Sequence, residues 1–184
     1  MVFRNLAMLL VALCFVIEPV IGQVKMTDEV KATLEKMQLD YLQPVESFYR
    51  SLPIKKNIFL DYQMAVTAPD VNLEIRYAFR PIGSHSFDSY PNVHSMSAVS
   101  SVATNNQDEE MILRVLEDDV AAEAYNADWA AIVDFVPKFQ FSELPNGRML
   151  ALYAEGKGSV FIFFLYDEPS KFLEDQIANI KFKE

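Results

Sequence analysis

The chain has 184 residues, a single cysteine (Cys14) and a formal charge of −10 at pH 7, from 26 acidic against 16 basic side chains. One cysteine excludes an intrachain disulfide and any multi-thiolate metal site. The acidic balance repels phosphate backbones and anionic lipid heads, so nucleic acid is excluded as a partner, while the length suits one domain with a sizeable core.

Residues 1–22 read as a signal peptide. Arg4 gives a short positive region, Leu6 to Ile17 is an apolar run too short to span a bilayer, and Val20-Ile21-Gly22 ends it at a small residue. The competing reading is an N-terminal membrane anchor. Leu13 stands before Cys14 where a small residue is wanted, which argues against lipidation. The mature chain would begin at Gln23, lack cysteine and carry no membrane span. Small secreted eukaryotic domains lean on disulfides, so this chain fits a bacterial envelope, periplasmic or secreted. The chain has no Asn-x-Ser/Thr sequon, which agrees with that setting.

Thr27 to Leu52 has Val30, Leu34, Met37 and Tyr41, then Val45, Phe48, Tyr49 and Leu52, at helical spacing. Pro44 should kink this helix and Pro53 end it. Asn57 to Val66 and Val71 to Pro81 alternate as strands. Leu73, Ile75, Tyr77 and Phe79 share one face of the second, against Glu74, Arg76, Ala78 and Arg80, which implies one wet face. Matching polar faces requires partner numbers with an odd sum. A four-residue loop, Thr67 to Asp70, then sets Val66 opposite Val71 and Asp61 opposite Arg76.

Ile82 to Asn92 reads as a loop and Val93 to Ala103 as a helix capped by Asn92. Asn105 to Asp108 is a surface loop. Glu109 to Leu116 fits either a helix or a strand. Asp118 or Asp119 should cap a short helix through Tyr125, and Trp129 to Val136 should be a strand closed by Pro137, with Phe139 and Phe141 continuing it. Asn146-Gly147 carries a hairpin-turn signal. Arg148 to Tyr166 forms a second hairpin about a two-residue Gly156-Lys157 turn, so Tyr153 would face Val160 and Met149 would face Phe164. Its strands are apolar on both faces and should lie in mid-sheet. Asp167-Glu168-Pro169 should start a last helix with Phe172, Leu173, Ile177 and Ile180 on its apolar face.

These elements predict an α+β fold, a single domain with a largely antiparallel sheet of about five strands and helices packed on it. The signal peptide would occupy 1–22, an amphipathic helical segment 23–53 and the α+β domain 54–184.

Chemistry is sparse. His85, Asp88 and His94 lie close in sequence and have the residue types for a divalent metal or a general base, but their spacing matches no metal motif. Ser95, Ser97, Ser100 and Ser101 follow His94 without a Gly-x-Ser-x-Gly elbow. Gly156-Lys157-Gly158-Ser159 lacks the upstream glycine of a phosphate loop. Arg76 and Arg80 share a strand face, where they suit an anionic group or pairing with local acids such as Asp61. Asp108-Glu109-Glu110 and Glu117-Asp118-Asp119 lack calcium-loop spacing and read as solvated faces and caps. No cofactor or metal is implied. The leading expectation is therefore a non-enzymatic exported module for a partner protein or a small apolar ligand, bound on whichever hairpin face the helices leave uncovered. The competing readings are a metal-dependent or serine-type hydrolase using His85, Asp88 and His94, and a structural envelope component.

Overall fold

A computed structural model of the chain describes residues 24–42, 49–83, 90–169 and 179–184. The expected signal peptide, Pro44 to Phe48, His85, Asp88, and Phe172, Leu173 and Ile177 of the expected last helix lie outside the described residues. The fold is α+β. Its elements in order are α1 (Asp28–Lys36), β1 (Leu39–Tyr41), β2 (Arg50–Ser51), β3 (Met64–Ala68), β4 (Leu73–Pro81), α2 (Pro91–Val102), β5 (Ile112–Val115), α3 (Asp118–Tyr125), β6 (Trp129–Phe135), β7 (Asn146–Ala154), β8 (Gly158–Tyr166) and β9 (Ile180–Phe182). Seven strands rather than five form the main sheet, in the order β2-β3-β4-β8-β7-β6-β5, and β1 pairs with β9 in a separate ribbon. Every pairing among the described strands is antiparallel.

The β7–β8 hairpin does lie in mid-sheet, and all nine residues of β8 are buried. Its turn is one residue longer than expected. Ala154 pairs with Gly158, so Tyr153 meets Ser159 and Met149 meets Phe163. Gly156 and Gly158 both take positive φ, which accommodates a three-residue turn. The extra residue flips the face assignment. Leu150, Leu152, Val160, Ile162 and Phe164 share one core. Met149, Ala151, Phe161, Phe163 and Leu165 share the other.

The first core is closed by α1, β1, α3 and β9. Thr27 caps α1 by accepting the Val30 amide on its hydroxyl at 3.2 Å. The helix does not run to Leu52. It ends at Lys36, because Gln38 takes a left-handed φ of 52° and sends the chain into β1. Val30, Leu34, Met37 and Tyr49 all enter the core, so the described part of the N-terminal segment docks on the sheet. Ile180 lies on β9 opposite Tyr41, not on a helix.

The β3–β4 pairing keeps the odd sum, with Ala65 opposite Arg76 and Val66 opposite Ile75. The connecting loop has four residues as expected but sits two residues later, Pro69 to Asn72. Pro69 starts a short 3-10 turn and Asn72 closes it in the left-handed region at φ 48°. Consequently Asp61 never enters the ladder opposite Arg76. The wet face is also absent: Arg76, Ala78 and Arg80 are buried in the second layer. That layer contains α2 and the irregular segments around Leu60 and Phe141. Tyr90, rather than Asn92, precedes the first turn of α2, with Pro91 inside it. Glu117, not Asp118 or Asp119, precedes α3.

Asn146 and Gly147 begin β7 instead of forming a turn. A side chain at Gly147 would place its Cβ 2.6 Å from the Phe135 ring, so the glycine is what lets that ring lie across the strand pair. Phe139 and Phe141 do not extend β6; Phe139 is exposed and Phe141 turns into the second core.

Gly156→Ala and Gly158→Ala separate backbone strain from close packing. Both positions have positive φ, but Gly156 has open space around it, whereas a Cβ at Gly158 would lie 2.2 Å from the Arg80 carbonyl oxygen. Gly156→Ala should cost about 1 kcal/mol. Gly158→Ala should cost on the order of 3 kcal/mol, since β4 must also give way. Urea unfolding midpoints of the two variants check the difference.

Candidate functional site

Of the three residues expected to do chemistry, only His94 is described. It lies in the first turn of α2, buried, with its ring edge-on to Phe161 at 4.9 Å. This is a packing environment inside the second core. The nearby serines bond to their own helix: Ser95 donates to the Asn92 carbonyl at 3.0 Å and Ser101 to the Ala98 carbonyl at 2.6 Å. Among the described residues, no group of three or more His, Cys, Asp or Glu side chains is placed to hold a metal ion.

The two arginines are held by partners rather than offered to a ligand. Arg76 donates through Nε to Glu74 at 2.6 Å and through Nη1 to the Phe141 carbonyl at 2.6 Å, with its guanidinium 4.5 Å from the Phe141 ring centre and 5.1 Å from that of Tyr62. Arg80 donates to the backbone carbonyls of Asp61 and Phe79 at 2.6 and 3.0 Å. Burial lowers its pKa, and the charge of Asp61 opposes that shift. Asp61 therefore serves Arg80, not Arg76. Beside Arg76 lies an open cleft of about 660 Å3 that includes Lys55, Lys56, Glu143 and Asp167. Its lining mixes both signs of charge and converges on no single group.

Lys157 does not sit at a phosphate site. Its Nζ donates to the Lys183 carbonyl and lies over the Phe182 ring, which ties the β7–β8 turn to the β9 segment.

The remaining feature is the free edge of the sheet at β5. Its four residues, Ile112-Leu113-Arg114-Val115, are all exposed, and the exposure continues back to Asn105. Ile112, Leu113 and Val115 are 50%, 41% and 55% accessible, far above the strand positions of mid-sheet. Only β6 pairs with β5 among the described strands. The Leu116 amide donates to the Ala130 carbonyl at 2.9 Å. In an antiparallel ladder the inward groups alternate, so Arg114 and Ile112 also face β6, and the N–H and C=O of Leu113 and Val115 turn outward. The side chain of Arg114 reaches back over the sheet to Asp134 at 2.6 Å, and Asp134 also accepts from Arg148 at 2.6 Å. Burial works to raise the Asp134 carboxyl, but the bonds and charges of Arg148 and Arg114 outweigh it and hold its pKa below the ordinary value of 3.8.

The sequence left this segment open between helix and strand. The available signal was an apolar run interrupted by one arginine and bounded on each side by three acids. Both faces of the central hairpin, where the site was expected, are instead covered. No described helix is long and apolar enough to cross a membrane. Compared with protein-family models, with curated proteins and with solved structures, the chain matches none.

The Asp134 cluster anchors the edge strand, and its contribution has a definite pH dependence. A carboxyl lowered in the folded state stabilises the fold above its unfolded value and loses that contribution as pH falls through the folded one. Asp134→Asn should therefore cost about 1–2 kcal/mol at pH 7, with the difference from the parent closing below about pH 4. Urea midpoints measured from pH 7 to pH 2.5 check this; a constant difference across that range would contradict it.

Proposed function

We propose that the chain is a non-enzymatic interaction module that binds a partner protein by accepting an added strand along β5. The observation that carries this reading is the exposed, mainly apolar edge strand with outward main-chain groups at Leu113 and Val115. Strand addition satisfies such groups and gives apolar side chains on both faces a cover. The opposite edge offers much less. It is the two-residue β2, where the Ser51 hydroxyl already accepts the Lys25 amide at 2.6 Å.

A small apolar ligand is the weaker form of the same reading. The cleft lined by Val30, Leu52, Pro53, Ile54 and Met64 measures about 200 Å3. That is below the roughly 300–1,000 Å3 typical of ligand pockets. We further propose export, to a periplasm or to the outside of the cell, on the strength of the Leu6 to Ile17 run.

Leu113→Pro tests the edge directly. Its N–H points outward, so proline removes a docking donor while the β5–β6 ladder keeps its bonds. Native mass spectrometry of the protein taken from its own cells should show a complex with another protein. Leu113→Pro and Val115→Lys should release it, at an unchanged thermal midpoint. Ile58→Lys, at an apolar position 88% exposed elsewhere, should retain it. A complex that survives both edge variants, or a bare monomer for the parent, would overturn the proposal.

A further inference from the structure

The occupant of the β5 edge can be narrowed by charge. Resting on the strand-addition reading above, we infer that the partner segment is an extended strand with an apolar centre and basic residues at both ends. Six acids bracket the edge: Asp108, Glu109 and Glu110 before it, and Glu117, Asp118 and Asp119 after it, all exposed. The one basic residue between them, Arg114, is turned to Asp134. The main-chain edge therefore ends in a block of negative charge in each direction. Glu110 and Glu117 stand seven residues apart, roughly 23 Å along an extended chain. A matching segment carries lysine or arginine at about that spacing, with β-branched or aliphatic residues between. Because both ends of β5 are acidic, the rule holds whether the added strand runs parallel or antiparallel.

The same charges disfavour a second copy of this chain. Two β5 strands meeting about a two-fold axis run antiparallel, and their outward amides, at odd-numbered positions, must face each other. One such register sets Leu113 opposite Leu113 of the second copy, and it places Glu109 opposite Glu117. Another sets Leu113 opposite Val115, and it places Arg114 opposite Arg114 of the second copy. In both registers the acidic blocks that flank the two strands are brought together at the ends of the new ladder, which disfavours it. The chain's net charge of −10 adds to that repulsion. Repulsion between acidic ends thus disfavours a second copy and other acidic strands, while the edge remains open to a basic one.

Three synthetic nine-residue peptides test this on the full chain. All share a Val-Thr-Val-Thr-Val centre or its proline-broken version. The first has two lysines at each end, the second two glutamates at each end, and the third has the lysine ends with proline at the central position. Binding is read by fluorescence anisotropy, and the docking position by protection of the Leu113 and Val115 amides from hydrogen exchange. At about 50 mM salt the lysine-ended peptide should bind at least tenfold tighter than the glutamate-ended one, and the gap should shrink near 0.5 M salt. The proline-broken peptide should not protect either amide. Glu110→Lys with Glu117→Lys, which takes each acidic block from −3 to −1, should narrow the preference, with the fold unchanged by circular dichroism. Equal binding of both end types, with Leu113 and Val115 protected, would overturn the charge rule and leave strand addition standing. Lysine-ended binding without protection of those amides would overturn the edge as the docking site, as would no protection by any peptide. Sedimentation as a dimer that Leu113→Pro dissolves would overturn the exclusion of a second copy.

Discussion

A strand that is apolar on both faces has to be covered twice, and β8 imposes that demand on the whole molecule. Val160, Ile162 and Phe164 point one way; Phe161, Phe163 and Leu165 point the other, and none is more than marginally accessible. Burying such side chains is worth about 1.5–3 kcal/mol each, so a bare second face is not a stable option. The chain meets the demand with unlike materials. One side receives α1, α3 and the β1–β9 ribbon, which brings the two ends of the described chain together. The other receives α2 and two segments with no regular structure, around Phe59 to Tyr62 and Phe141 to Leu144.

Irregular cover brings a difficulty that the buried arginines resolve. Segments without ladders leave carbonyls in search of donors. Arg76 supplies one to Phe141 and Arg80 one to Asp61, each at 2.6 Å, so β4 bonds both irregular segments to the sheet through charged donors. Glu74 stands beside the Arg76 charge, and the Tyr62 and Phe141 rings flank it. Removing either arginine would strand a carbonyl beneath the cover as well as lose the bond, which is why these positions are structural rather than sites for an anion.

What could be read from the sequence was periodicity, and what could not be read was the turn and the cover. The alternation in β3 and β4 gave the correct parity, because a slip of one would exchange every side chain between the two cores. The absolute register moved by four because the turn is placed by Pro69 and by the left-handed Asn72, two residues beyond the expected loop. In the hairpin a single extra turn residue exchanged the partners of Tyr153 and Met149, although the apolar run hid the error, since both faces are equally greasy. Arg76 and Arg80 looked solvated because a strand's own pattern says nothing about a segment 65 residues away folding over it. His94 illustrates the same limit: its helix was legible, but that its ring faces Phe161 was not.

The edge at β5 stands against this background of complete cover. An edge strand in a protein that must stay alone is usually protected within the strand, by a charge aimed at the free edge or by a break in it. Here the only charge within the strand is committed to Asp134, in a pair that braces β5 against β6 and β7. The protective charges have been moved outside, to the two acidic blocks. Their position changes what they do. A charge in the middle of an edge blocks every incoming strand alike, whereas charges at its ends leave the apolar centre and the outward amides of Leu113 and Val115 open and judge an incomer by its own ends. On the proposed reading an edge protected in that manner is selective, and selectivity at an otherwise uncovered strand is the physical basis for proposing recognition there.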